Sequence, residues 1–203
     1  MTPDSSSGRL PAPIARLRRE IQAPALLAVG IMTFVTGYVV TSLVMLVVVD
    51  ADMSRPLVLV VFFAFIFYSA HQIPAVTSDG RIVDQLQVFA NPATADLGVP
   101  VAVFYAIPIV LLVAMGVLGT RLYTSDYLDP RQVVAGVGLL TVGYAIMAIL
   151  GTQIVQSTTN FGGVATPHLR SALLFGILYP LVFGAIGAGL VNVVESLRDL
   201  ELF

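Results

Sequence analysis

The chain has 203 residues, of which 57% are hydrophobic and 11% charged, and its mean hydropathy is +0.92. A water-soluble chain of this size cannot hide that much apolar surface, so the composition excludes an ordinary soluble domain and implies an integral membrane protein. The net charge is −2, with no cysteine and no lysine, which excludes disulfides, thiolate metal sites and cysteine nucleophiles, and no basic block is long enough for nucleic-acid binding.

The chain begins with a polar, serine-rich stretch, Met1 to Gly8, which reads as disordered. Leu10, Ile14, Leu17 and Ile21 follow at helical spacing among arginines, so residues 1–22 form a basic segment with a possible interfacial helix, or simply a charged flank that anchors the first span. Residues 23–196 then carry five charge-poor apolar runs. They span Ala25–Val49, Pro56–Ala75, Val99–Gly119, Gln132–Ile154 and Ser171–Val194. About 20 helical residues cross a bilayer core, and continuous runs without alternation mean helices rather than barrel strands. The expected fold is all-α, a polytopic membrane helix bundle of about five transmembrane helices, with residues 197–203 as a short C-terminal tail. The first run is too long for a signal peptide and lacks a cleavage site.

Arg9, Arg16, Arg18 and Arg19 precede the first span and argue for a cytoplasmic N-terminus in a multi-pass cell-membrane protein. Five crossings place the C-terminus outside, with Arg81 and Arg170 inside and Arg55, Arg121, Arg131 and Arg198 outside. Two connections, Asp50 to Arg55 and Arg121 to Arg131, are tight; the two longer ones, through Asp79-Gly80 and through Asn160-Phe161-Gly162-Gly163, share the opposite face.

No Asp, Glu or Arg lies in the middle of a span, which lowers the odds of proton coupling through a carboxylate. Phosphate loops, metal-ligand spacings and nucleophile elbows are absent too, so no catalytic, cofactor-binding or metal residue is assigned and the chain does not read as an enzyme. The candidate functional residues lie on helix faces. Thr33, Gly37 and Thr41 recur at i, i+4, i+8, and Val137, Thr141, Tyr144, Ala148 and Thr152 form a second stripe. Such stripes either pack helices tightly or line a polar path. Tyr68, His71 and Gln72 share the end of the second run, which Pro74 terminates. Counted from Pro56, His71 is about 23 Å along the helix, near the far interface, where a histidine anchors, holds a structural hydrogen bond or binds a ligand or proton. Pro108 and Pro180 sit in similar surroundings, so the second and third spans could duplicate the fourth and fifth.

Four stretches carry a resemblance: Gly37-Tyr38-Val39-Val40-Thr41, Phe67-Tyr68-Ser69-Ala70-His71, Tyr105-Ala106-Ile107-Pro108 and Leu178-Tyr179-Pro180-Leu181-Val182-Phe183-Gly184. Together they resemble a family of small multi-span membrane proteins from halophilic archaea, some of which bear the label transporter; an amide often stands there in place of Ser69. The resemblance implies no substrate and no site residues. Two functions follow. One is a small transport or permeation protein, alone or as a homo-oligomer, in which the Thr33/Thr41 and Thr141/Tyr144 faces line a common wet cavity. The other is a structural or accessory subunit of a larger membrane complex, in which those faces are dry. The lipid bilayer is the common partner.

Overall fold

The computed structural model describes residues 12–48, 56–90, 99–123, 130–159 and 165–201. Six helices and three short strands follow in the order α1 (Ala12–Val48), α2 (Pro56–Ala70), β1 (Ala75–Thr77), β2 (Ile82–Val83), α3 (Gln85–Ala90), α4 (Ala102–Tyr123), α5 (Pro130–Thr159), β3 (Ala165–Pro167) and α6 (Leu169–Glu201). The all-α bundle expected from the apolar runs is what forms. Among the described residues, four helices are long and apolar enough to cross a membrane, over Ala23–Val48, Ala102–Arg121, Arg131–Val155 and Leu169–Val194. The second expected span is a correction: α2 has only 15 residues, about 22 Å of helix against a hydrocarbon core of about 30 Å. Residues 12–22 are the opening turns of α1 itself, and α6 runs on to Glu201. Residues 1–11, the Asp50–Arg55 connection and residues 160–164 lie outside the described residues.

Backbone contact through glycine sets how the long helices pair. A Cβ at Gly30 would overlap the Leu140 carbonyl and one at Gly143 the Leu27 carbonyl, so α1 and α5 touch main chain to main chain. Further along the same pair, Phe34 and Tyr38 face Met147, Gly151 and Ile154 across one cavity. Residue numbers therefore rise together, and α1 and α5 run parallel. Gly176 faces Ala148 while Gly184 faces Val137, so α6 runs opposite to α5. A second glycine seam, Gly116 on Gly184 and Gly187 on Val113, closes α4 onto α6. These small residues let helices approach closely where lipid gives no hydrophobic drive for association.

α2 runs opposite to α1: the Tyr38 hydroxyl reaches the Val60 carbonyl at 3.0 Å, while the Phe34 ring meets Phe67 and Tyr68 near the other end of α2. Burial deepens along it. Pro56, Leu57 and Val58 are exposed, whereas every residue from Phe63 to His71 is buried. A helix buried on all sides lies inside protein rather than at its lipid surface. The cap at its end is a Schellman motif. The Ile73 N–H donates to the Tyr68 carbonyl at 3.0 Å and the Gln72 N–H to the Ser69 carbonyl at 2.9 Å, while Gln72 takes the left-handed conformation at φ 60°. Pro74 then forbids continuation.

The two long loops meet in a three-stranded antiparallel sheet, order β2-β1-β3, that the sequence reading did not anticipate. Ala75 pairs with Val83 on one side and Pro167 on the other. The duplication idea fails here. α2 and α5 run in opposite directions, so α2–α4 and α5–α6 are not copies of one hairpin.

Candidate functional site

The C-terminal end of α2 carries the densest set of buried polar side chains among the described residues. His71 is 2% exposed. Its Nδ1 lies 2.7 Å from the Phe67 carbonyl oxygen, which can only accept, so Nδ1 carries the proton and Nε2 of the neutral ring accepts from the Tyr144 hydroxyl. Both ring nitrogens are thereby used. The imidazole rests against Phe67, with ring centroids 4.5 Å apart, and lies 5.7 Å from the Tyr179 ring. Three helices hold it: α2 supplies the histidine, α5 the phenol and α6 the flanking tyrosine. The expectation of an interfacial anchor is corrected, because the ring is enclosed by protein; the structural hydrogen bond is what the geometry provides.

The neighbours of His71 are also satisfied. The Tyr68 hydroxyl donates to the Ala148 carbonyl at 2.9 Å, and Gly151 leaves room for it, since a Cβ there would overlap that oxygen. Ser69 Oγ accepts the Gln85 N–H at 3.1 Å, tying α2 to the start of α3. Asp84 caps α3 by accepting the Leu86 N–H at 3.0 Å. Gln72 is exposed, with its side chain beside the Tyr105 hydroxyl of α4. His168, the other histidine, stands just before α6. Its N–H donates to the Pro74 carbonyl at 2.9 Å and its Nδ1 meets Ser171 Oγ at 2.7 Å.

The expected residues therefore divide. Tyr68, His71 and Tyr144 converge, and Gln72 borders them. Thr33 turns back on its own helix and donates to the Val29 carbonyl at 2.8 Å. Thr41 and Thr141 are buried with no hydrogen-bond partner on their hydroxyls, which suits close helix packing and not a hydrated lining. The whole second stripe, Val137, Thr141, Tyr144, Ala148 and Thr152, is buried. A cavity of about 210 Å³ does lie between α1, α2 and α5, but Phe34, Val35, Ala64, Met147 and Val155 line it and none of Thr33, Thr41, Thr141 or Tyr144 does. Thr41 and the Thr141/Tyr144 face meet protein instead, while Thr33 is half-buried and bonds back to its own helix. Tyr179 and Ser69 stood in the stretches that carry the resemblance but were assigned no role, and Gly151 was not singled out; Ser69 and Gly151 have roles set by residues 16 and more positions away.

Outside the apolar helices, one polar turn is well defined. Thr77 and Arg81 both hold Asp79, the guanidinium at 2.6 Å. The Thr77 hydroxyl, with Arg81 second among the stabilising groups, keeps the exposed Asp79 carboxyl below its ordinary range. Among the described residues no group of His, Asp and Glu could hold a metal ion.

A protein-family model described as a family of unknown function, DUF7978, matches residues 11–195. No curated protein and no solved structure matches the chain.

Proposed function

The chain belongs to the DUF7978 family, and we propose that it is an integral membrane protein serving as a non-catalytic packing subunit of a larger membrane assembly. One observation supports this reading above the rest. Thr41 and the Thr141/Tyr144 face, which a permeation path would wet, are closed by neighbouring helices, and the cavity beside them is lined by carbon. Arg9 and the arginines in the opening turns of α1, ahead of its apolar stretch, favour a cytoplasmic N-terminus in the cell membrane. A halophilic archaeal source fits the all-arginine basic set and belongs to the same proposal.

A second reading, a small transporter, has its own support. An ionisable side chain kept inside apolar helices is costly and often marks a solute or proton path, and His71 is such a group. Purification in mild detergent followed by native mass spectrometry separates the two. A stoichiometric second protein is the expected result. A chain that runs alone or only with itself, carries a bound small solute and catalyses its uptake into liposomes would replace the subunit reading with the transporter.

A further inference from the structure

We propose that α2 and β1 form a re-entrant segment. The chain enters the membrane at Pro56, turns back at His71 inside the bundle and leaves by the face it entered. With α1 before it and α4, α5 and α6 after it, the chain crosses four times in all and keeps both termini on one side. The inference rests on the reading of the protein as membrane-spanning.

Depth comes first. His71 meets Tyr144, which lies 13 residues from Arg131 and 11 from Val155, near the centre of that apolar stretch. It also faces Tyr179, well inside Leu169–Val194. The α2 helix therefore stops in the interior of the bundle rather than at its far end.

Direction comes second. α1 and α5 run parallel, so the end of α1, which feeds α2, and the end of α5, which feeds β3, lie on one face. After the Schellman turn, Pro74 accepts the His168 N–H and Ala75 pairs with Pro167. Those partners join the end of α5 to the start of α6, which is the face from which α2 came. A five-crossing path would also bring β1 and β3 to one face, but it would set α5 antiparallel to α1, which the Gly30 and Gly143 contacts and the shared cavity exclude.

Non-helical backbone at membrane depth is tolerated where protein encloses it. Here His71, Ile73 and Ala75 are buried, only the Gln72 side chain turns outward beside Tyr105, and the N–H groups of residues 71–73 are all used in the cap. The arginines agree as well. Four crossings put Arg9, Arg16, Arg18, Arg19, Arg121, Arg131 and Arg198 on the N-terminal side and leave Arg55, Arg81 and Arg170 opposite, a clearer inside bias than five crossings give.

The chain has no cysteine, so single-cysteine variants can report sidedness directly. Asp52→Cys, Ser78→Cys and Asp126→Cys, in the full chain, are labelled with a membrane-impermeant maleimide in right-side-out and in inverted vesicles. The expected result is that positions 52 and 78 label in the same vesicles and 126 only in the opposite ones. Labelling of 52 and 126 together, with 78 on the other side, is the five-crossing pattern and overturns the proposal. Carbonate extraction of the same vesicles is read in parallel. A chain released into the soluble fraction, with no sidedness at any position, overturns the membrane reading itself and the proposal with it.

Discussion

At His71 the imidazole spends both nitrogens on fixed partners, one on its own helix and one on α5. Removing the phenol oxygen alone leaves Nε2 buried and unpaired, which costs about 1–3 kcal/mol. Tyr144→Phe is therefore expected to lower stability by that amount without changing oligomeric state, as read by thermal unfolding in detergent. Gly151→Ala tests the same neighbourhood from another side. Its methyl would displace the Tyr68 hydroxyl from the Ala148 carbonyl, and the loss of that bond is expected to cost about 1 kcal/mol in the same assay. At the surface turn the sign of the pH effect follows from the lowered carboxyl of Asp79. Its interactions with Thr77 and Arg81 are fully present above the ordinary carboxylate range and are lost as pH falls through the lowered value. Protection of the Gly80 and Arg81 amides against hydrogen exchange, taken relative to the intrinsic rate at each pH, is expected to fall in acid, and Asp79→Asn to remove that dependence.

Among the elements, α2 is the one whose fate the sequence concealed. Its apolar run is legible, and so is its end at Pro74. What a linear count from Pro56 cannot reveal is that the chain reverses, because reversal depends on Gln72 adopting a positive φ and on Tyr144, 73 residues away, receiving His71. The spanning parts of the four long helices, by contrast, begin and end within a few residues of the apolar runs, since burial in lipid is a local property of composition. The small sheet was invisible for the opposite reason. Strands of two and three residues carry no period and exist only through their cross-loop partners. The cap is open to direct test. A β-branched residue in the left-handed region is a genuine outlier, so Gln72→Val is expected to lower stability by about 1–2 kcal/mol, whereas Gln72→Gly removes the backbone strain at the expense of the Tyr105 contact. Equal losses from both variants in equilibrium unfolding would place the cost in the side chain and not in the backbone.

Across the whole molecule, two glycine seams hold the bundle: Gly30 with Gly143 joins α1 to α5, and Gly116 with Gly187 joins α4 to α6. α5 and α6 connect the seams, with Gly176 against Ala148 and Gly184 against Val137. Because α2 plugs the space between α1, α4 and α5, its buried half depends on the first seam more than on the second. Phe34 of α1 touches Phe67, Tyr68 and Tyr144 at once. Opening the first seam should therefore loosen the re-entrant tip, while opening the second should leave it in place. Gly30→Leu and Gly187→Leu each force a side chain into backbone and are expected to cost about 1–3 kcal/mol, the range for overpacking. Only Gly30→Leu should also unseat His71. The readout is maleimide reaction of a cysteine placed at Ile73, which is buried beside the histidine. It is expected to speed up in the Gly30→Leu background and to stay slow in the Gly187→Leu background. Equal acceleration in both would mean that the four long helices and the inserted segment respond as one packed unit, with no division between the seams.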